Sequence, residues 1–469
     1  MQEDFHYYAT YCAAFLAGFS HEESVRIAYA DNFVDCCTES YLIKVRGPLE
    51  AATTQSQPEL VAIKADVLAL QKITRIWASF HFLPYDLYAE LEGRHSKKYM
   101  DKYRLICRPN GDLLVDTVHL ANGKGLEAVG IAMHILSDTW AHTYFAGTPS
   151  LVINNATRFY DLTNGEPKEL VFSHNPAISE DLEKGHYINT PNLTEENSIM
   201  VLGHGRAGHL PDYSFFRYKY LPAWADYEEV VKDNPADYYC AFCQMIYALK
   251  FLRGRNEGVQ KKGYNELAEF ETDACEKTAE FQTNACGETA ELHKDIFDAA
   301  LEFQKDTYDE AAAEPYRERI MGILEKRQLS GSEDWKAFGE ELSGETVPAF
   351  DEFAFEKEYV EAADKGGTFL GRFCEAASAQ KAMVTNRICK SGSKLAGISV
   401  EQVGERLAAR AEKRGKEESA EVSARPIGER LAARAEEKRI EEAEGVSRES
   451  LGRKLVVRID KKKNEEEAE

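Results

Sequence analysis

The stretch GIAMHILSDTWAHTYFAG, residues 130–147, places His134, Asp138 and His142 at four-residue intervals in an otherwise apolar segment. On an α-helix, positions four residues apart drift by only about 40°, so the three side chains form one narrow stripe about 12 Å long. Imidazoles and carboxylates are good zinc ligands, so the stripe predicts a metal site. One ion is not easily shared over about 12 Å, so the spacing favours two ions, with Asp138 binding one or bridging both. The alternative is that each polar side chain is satisfied separately in a packed helix.

A second group of candidate ligands lies in LGHGRAGHLPDY, residues 202–213, which contains His204, His209 and Asp212. Five residues on a regular helix would put the two histidines about 140° apart, so they could share an ion only if the chain turns between them. Glycines at positions 203, 205 and 208 allow such a turn. The alternative is a glycine-rich loop with two surface histidines.

Three further candidates stand among apolar residues: His6 in EDFHYYATY, Asp35 in ADNFVDCC and His81 in WASFHFLPYD. A histidine in such a place is, on its own, more often a satisfied core residue than a metal ligand. The histidines are nevertheless distributed unevenly, since eleven of the twelve precede residue 210. This skew predicts a site in the first part of the chain.

The overall composition excludes some classes of function. The chain of 469 residues has a formal net charge of −23, and binding a nucleic acid polymer through its phosphates needs a basic surface. The N-terminus has no basic segment followed by an apolar one, and no apolar run reaches the roughly 18 residues of a membrane span. We therefore expect a cytoplasmic protein. Its ten scattered cysteines, including the isolated C-x-x-C pair Cys240 and Cys243, are expected to be reduced thiols.

The sequence pattern changes along the chain and predicts four segments. Residues 1–255 and 313–396 have the apolar spacing of helices, and we expect them to form one mainly α domain that contains the candidate ligands. Residues 256–312 contain eleven-residue repeats with Phe or Leu in register, which predict a long helical arm inserted into that domain. Residues 397–469 repeat with a period of 24, and their few apolar side chains predict a partly disordered tail of short amphipathic helices.

Two stretches depart from the helical pattern of the first domain. YRLICRPNGDLLVDTV, residues 103–118, has Pro-Asn-Gly between two apolar runs and predicts a β-hairpin. Residues 148–200 are rich in Asn, Thr, Pro and Gly, and they predict long loops of the kind that often bind ligands.

The order of the candidate ligands resembles that of a known superfamily. His6, Asp35 and His81, followed by H-x-x-x-D-x-x-x-H at 134–142 and by His204 and His209, are similar to the ligands of the zinc-dependent phospholipase C and fungal single-strand nuclease superfamily. Those helical enzymes hold three zinc ions in a cleft. A closer resemblance, over nearly all of residues 4–255 and 313–396, is to an uncharacterised family of bacterial proteins that begin D-F-H-Y-Y, whose activity is inferred from the superfamily.

The resemblance implies a zinc phospholipase C-like fold and a distribution of the ligands between ions. For the first ion it implies His81, His134 and Asp138, with Asp35 beside them as a ligand or as the general base. For the second ion it implies His142 and His204, completed by His209 or Asp212.

The chain departs from the superfamily pattern at the third ion, which is bound there by the amine and carbonyl of an N-terminal Trp. This chain begins MQEDFH, so His6 is the candidate for a third ion, with Asp4 as its possible companion. A site with two ions is the alternative. The superfamily also usually places a carboxylate four residues after the histidine at 204, where this chain has Gly208. It usually has two more residues, with a Pro, between the aspartate at 138 and the histidine at 142.

Imidazole and carboxylate ligands around two or three zinc ions are typical of enzymes that hydrolyse phosphate esters. We therefore expect a metal-dependent phosphoesterase that acts on a small phosphate ester. Asp35 could take the proton of the attacking water, and Arg206 and Tyr213 could contact the phosphate group. The alternative is a non-catalytic helical scaffold with a structural metal site, whose arm and tail bind a protein partner.

Overall fold

The structure is a computed structural model that describes residues 1–56, 59, 67–91, 93, 95–175, 177–190, 202–254 and 303–393. All of these residues belong to one unit, Met1–Gly397. The predicted arm up to residue 302 and the tail repeats lie outside the described residues. The predictions of a helical arm and of a partly disordered tail therefore stay predictions.

The described part of the chain is mainly α, as the apolar spacing predicts. A π-helical segment, Asp4–Ala9, leads into the first α-helix. The α-helices of the described residues are α1 (Thr10–Leu16), α2 (His21–Phe33), α3 (Glu39–Val45), α4 (Val67–Phe80), α5 (Lys97–Tyr103), α6 (Asp112–Ala121), α7 (Leu126–Ala141), α8 (Asn234–Arg253), α9 (Glu310–Ala313), α10 (Arg317–Leu324), α11 (Ser332–Ser343), α12 (Glu356–Glu361) and α13 (Phe369–Lys390). None of the helices within these ranges is long and apolar enough to cross a bilayer.

Helix α7 carries the stripe of candidate ligands and is almost wholly enclosed by protein. All of its residues except Leu126 and Trp140 are buried. The helix ends at Ala141, and His142 is its C-cap residue. Because buried polar side chains are costly unless they are paired, His134 and Asp138 need partners from other elements.

Helix α2 supplies some of these partners because it approaches α7 very closely. Its N-terminus is fixed by a capping box in which Ser20 and Glu23 bond to each other's backbone. Further along, it packs against Gly130 of α7, where a Cβ atom would lie only 2.4 Å from the carbonyl oxygen of Ile27. Only a glycine allows this approach, and the approach brings the end of α2 beside the ligand stripe.

The described residues also form a small sheet. Its strands are β1 (Ala156–Asp161), β2 (Lys168–Glu169), β5 (Arg217–Pro222) and β6 (Val230–Asp233), and a separate parallel pair is formed by β3 (Phe172–Ser173) and β4 (Tyr187–Ile188). The sheet is antiparallel in the order β2-β1-β5-β6, with Tyr160 opposite Lys219. Its buried aromatic side chains form a second core together with Phe82. The rings of His142 and His204 lie 4.7 and 5.7 Å from that of Phe82, so these two candidate ligands lie beside this second core.

The predicted β-hairpin at residues 103–118 is wrong. The second apolar run forms α6, with Gly111 as its N-cap residue, and buries Leu114 and Val118 on one face. Asn110 has a φ of 65°, so the Pro-Asn-Gly turn leads into a helix instead of joining two strands. The apolar residues of this run fit a helical period as well as alternation, and the contacts of the helical face favour the helix.

Two further predictions also differ from the structure. Strands β1 to β4 lie in the region predicted as long loops. Phe303, predicted to belong to the arm, is buried in the main core with its ring 5.2 Å from that of Tyr247 and 5.9 Å from that of Phe251. Residues 303–309 contain no helix, so the main body resumes by Phe303.

Candidate metal centre

Asp138, the central residue of the α7 stripe, contacts both of its neighbours in that stripe. Its Oδ2 atom lies 3.3 Å from Nε2 of His134 and 3.5 Å from Nδ1 of His142. Burial acts to raise the pKa of Asp138, but His142, the amino group of Met1 and His134 outweigh it and hold that pKa well below its usual range. The centre is therefore built around a buried, ionised carboxylate.

The predicted ligands His6, Asp35 and His81 lie beside this carboxylate, although they come from distant parts of the chain. Nε2 of His6 is 3.3 Å from Oδ1 of Asp138, and Nδ1 of His81 is 3.2 Å from its Oδ2. Oδ1 of Asp35 lies 3.6 Å from Nδ1 of His81 and 3.9 Å from Nε2 of His134. They meet because α2 and α4 pack on α7 and the π-helical segment packs on α2. We call these residues the first cluster: His6, Asp35, His81, His134 and Asp138.

Asp31 is a further acidic side chain at this centre, and the sequence analysis did not select it. It is fully buried in α2, and its Oδ1 atom lies 2.9 Å from Nδ1 of His6 and 3.2 Å from Nδ1 of His134. Asp31 precedes Asp35 by four residues, the same spacing as between His134 and Asp138. That spacing was the available signal in the sequence.

A second cluster consists of His142, His204 and Asp212. Oδ1 of Asp212 lies 3.3 Å from Nε2 of His142 and 3.7 Å from Nε2 of His204. The required turn is present, because Gly203 and Gly208 have φ values of 57° and 58°, in the left-handed region that favours glycine. Three ligand atoms from these residues lie within 4.8 Å of one another.

His209 lies beside Asp212 and is largely exposed to solvent. Its Nδ1 atom lies 3.2 Å from Oδ2 of Asp212, and its side chain is 57% exposed. Of the two residues that could complete the second ion, Asp212 is the one grouped with His142 and His204. The assignment of His209 as a direct ligand stays a prediction.

The amino group of Met1 lies between the two clusters. Its nitrogen is 2.8 Å from Oδ1 of Asp138, 3.5 Å from Oδ1 of Asp212 and 3.4 Å from Nε2 of His142. Burial acts to lower the pKa of this amine, but Asp138 and Asp212 outweigh it and raise the pKa to about 11. The carboxylates of both clusters therefore favour a positive charge at this place.

The carboxylate of Asp4, named as the companion of His6, has backbone partners. Its two carboxylate oxygens accept hydrogen bonds from the backbone N–H groups of Phe5 and Gly331, at 2.9 and 2.8 Å. These contacts tie the N-terminal segment to the loop before α11. The suggestion that Asp4 joins His6 at a third ion stays a prediction.

The donor atoms of the first cluster fit a zinc ion in chemistry and spacing. Two ligand atoms at about 2.0–2.2 Å from one tetrahedral ion are separated by about 3.3–3.6 Å, and contacts of 3.2 to 3.9 Å join the atoms of this cluster. Among the described residues, Nε2 of His6 is a buried atom that makes no well-formed hydrogen bond despite lying near Asp138. Nε2 of His134 faces Nδ1 of His81 at 3.3 Å. Buried polar atoms are normally satisfied, and a cation among these atoms would satisfy them.

The comparison with protein families bears on the same residues. DUF6765, described as a family of unknown function, matches residues 1–388. The chain belongs to DUF6765. No curated protein and no solved structure matches it, so the resemblance to the zinc phospholipase C superfamily stays a prediction. The region that matches DUF6765 contains every candidate ligand and ends before the 24-residue repeats.

The centre of this DUF6765 member reaches solvent at a few side chains. Asp35 and His204 are 38% and 17% exposed, whereas His6, His134 and Asp138 are buried. Burial acts to raise the pKa of Asp35, but the neighbouring imidazoles His134, His6 and His81 outweigh it and lower the pKa. An ionised carboxylate therefore stands at the accessible edge of the first cluster.

Arg206 and Tyr213, the predicted phosphate contacts, have partners within the protein. The guanidinium of Arg206 donates to the carbonyl oxygens of Thr190 and Ala156, and the hydroxyl of Tyr213 donates to a carboxylate oxygen of Glu180. Both residues are buried. Their predicted role in binding a phosphate group stays a prediction.

Proposed function

We propose that this chain is a metal-dependent hydrolase of phosphate esters with zinc in a di- or trinuclear site and a zinc phospholipase C-like fold. The observation that carries the proposal is the convergence of buried imidazoles and carboxylates from distant segments on Asp138. Isolated acids are rarely buried without partners, and here acids and imidazoles are buried together.

The two clusters suggest how ions would be distributed. His81, His134 and Asp138 would hold the first ion, with Asp35 beside it as a ligand or as the general base. His142, His204 and Asp212 would hold the second ion. A third ion would lie near His6, where the Met1 amine also contacts Asp138. Mixed imidazole and carboxylate sets of this kind suit zinc.

When bound, zinc lowers the pKa of a water ligand and neutralises a phosphoryl oxygen, which favours hydrolysis of a phosphate ester. The role of Asp35 follows from its place in the first cluster. Its carboxylate is ionised and accessible, so it can accept a proton from water at this edge. The imidazoles keep that carboxylate ionised by lowering its pKa.

The proposal is tested by phosphodiester hydrolysis and metal content in the same samples. Zinc-loaded protein is expected to hydrolyse bis-p-nitrophenyl phosphate, to lose activity with its metal in a chelator, and to regain it with zinc. Asp35→Asn is expected to lower kcat by about 10²–10⁴-fold, the usual size of a general-base effect. Asp116→Asn is the matched control, because Asp116 is similarly exposed, at 36%, and pairs with Arg387 away from the centre.

The alternative function, a non-catalytic scaffold with a structural metal site, has a distinct outcome in this experiment. It predicts one tightly held ion per chain and no hydrolysis above the rate of metal-free protein. That result would contradict the proposal.

A further inference from the structure

Asp31 contacts two histidines of the first cluster through the ring nitrogens that face away from Asp138. Its Oδ1 atom lies 2.9 Å from Nδ1 of His6 and 3.2 Å from Nδ1 of His134. The two rings are stacked, with centroids 3.9 Å apart and planes 19° from parallel. A carboxylate only accepts hydrogen bonds, so this oxygen favours a proton on the Nδ1 atom of each ring.

This protonation leaves the other nitrogen of each ring available on the side of the predicted ions. Nε2 of His6 lies 3.3 Å from Oδ1 of Asp138, and Nε2 of His134 lies 3.3 Å from Oδ2. Histidines that bind metals usually donate their second N–H to a carboxylate, carbonyl or water, which fixes the tautomer and the ring orientation. Asp31 is placed to do this for both rings.

The other oxygen of Asp31 has a partner of its own. Oγ1 of Thr10 donates to Oδ2 of Asp31 at 2.7 Å. The side chains of Thr10 and Asp31 are both fully buried. One oxygen of the Asp31 carboxylate is therefore held by Thr10 of α1, and the other oxygen contacts the rings of His6 and His134.

We propose that Asp31 is a positioning residue that fixes His6 and His134 in the tautomer and orientation that bind zinc, without binding an ion itself. The inference rests on the proposed metal site. It adds a residue that the sequence analysis did not select.

A competing interpretation is that Asp31 is itself a ligand, because it could hold an ion together with His6 and His134. Such an ion would lie on the Nδ1 side of the rings. Within the described residues that side offers one further contact to His6, from Oγ of Ser137 at 3.4 Å. The Nε2 side instead faces the donor atoms of Asp35, His81 and Asp138. The donor atoms thus favour the Nε2 side for the ions.

The test is zinc binding by the full chain, measured by competition with a chromophoric chelator and by elemental analysis. Asp31→Asn keeps the size of the side chain and is expected to weaken zinc binding about 10–100-fold while the number of ions stays unchanged. Thr10→Val removes the short hydrogen bond to Oδ2, together with the longer contacts of the same hydroxyl to Phe5 and Met245. It leaves the Asp31 carboxylate in place and is expected to weaken binding less. Glu127→Gln is the matched control, because Glu127 is also buried, lies on α7 and pairs with Arg26; its zinc affinity is expected to stay unchanged.

The outcomes separate this inference from the proposed function. If Asp31→Asn lowers the number of bound ions, Asp31 is a ligand, and if zinc affinity is unchanged, it has no positioning role; either result overturns the inference. Thermal unfolding of the metal-free variants distinguishes weak binding from a damaged fold. Should Asp31→Asn fail to fold, Thr10→Val decides, and unchanged affinity in that variant counts against the inference. Wild-type protein that binds no zinc would refute the proposed function instead.

Discussion

Replacing Asp138 by asparagine is the change that should affect the whole metal centre. The substitution keeps the shape of the side chain and removes its charge. One carboxylate oxygen lies 2.8 Å from the amine of Met1 and 3.3 Å from Nε2 of His6, and the other lies 3.2 Å from Nδ1 of His81. An amide offers only one acceptor oxygen. The amide nitrogen of the variant must therefore face either Met1 and His6 or His81.

The expected loss of zinc affinity follows from the number of groups that contact the carboxylate of Asp138. Loss of a residue that only hydrogen-bonds to a metal ligand typically weakens metal binding about 10–100-fold. Asp138 is proposed to be a ligand itself, so its loss should weaken zinc binding by at least about 100-fold. A 100-fold loss corresponds to about 2.7 kcal/mol. At a fixed excess of zinc, the stabilisation that zinc gives to the folded protein should fall by about the same amount for each affected ion.

The assay is a zinc titration of Asp138→Asn, combined with thermal unfolding of the metal-free and zinc-loaded forms. The control is Asp161→Asn, since Asp161 is also buried but accepts from the backbone of Thr163 outside the centre. That control should keep the wild-type difference in Tm between the two forms. If Asp138→Asn keeps the full number of ions with wild-type affinity, the reasoning that places Asp138 at the centre is refuted.

Three further results are expected. Gly130→Ala should destabilise the fold by about 1–3 kcal/mol through overpacking against Ile27. Gly322→Ala, with nothing within 4 Å of its added Cβ, should stabilise the fold by up to about 1 kcal/mol. Equal midpoints of urea unfolding for the two variants would contradict the close approach of α2 and α7 at Gly130. Burial lowers the pKa of His134, but Asp138 and Asp35 outweigh it and raise the pKa from 6.5 to about 10. Metal-free protein should therefore lose stability as the pH rises from 6.5 to 10. Zinc binding at pH 7 should release protons, which makes the calorimetric binding enthalpy depend on the ionisation enthalpy of the buffer. A binding enthalpy that is the same in all buffers would contradict this prediction. Removal of residues 398–469 should leave zinc content unchanged, because every candidate ligand lies in Met1–Gly397; loss of an ion would place a ligand in the tail.

The part of the site that could be predicted from sequence is the part that follows from local spacing. Four-residue intervals on a helix place His134 and Asp138 on one face whatever the rest of the chain does. The convergence of His6 and His81 on that face was a prediction from the superfamily resemblance, because no local rule links positions so far apart. Asp212 remained one of two alternatives, since the turns at Gly203 and Gly208 decide which side chain meets the two imidazoles.

What was missed depends on tertiary contacts that a single sequence does not contain. Asp31 becomes significant only because Gly130 lets α2 approach α7 and places its carboxylate between two rings. No residue pattern in this sequence marks the amine of Met1, although the superfamily uses an N-terminal amine at its third ion. The position of the Met1 amine depends on how the π-helical segment packs. The hairpin was wrongly predicted because a short apolar run can fit both a strand and a helix until its neighbours are known.

The most direct test of the central claim is the metal content of the wild-type full-length chain, purified without chelators and measured by elemental analysis. The arrangement around Asp138 and Asp212 predicts two or three zinc ions per chain, removable by a chelator and restored by added zinc. A chain that retains less than one ion and takes up none from added zinc would contradict the claim that these buried imidazoles and carboxylates form a metal centre.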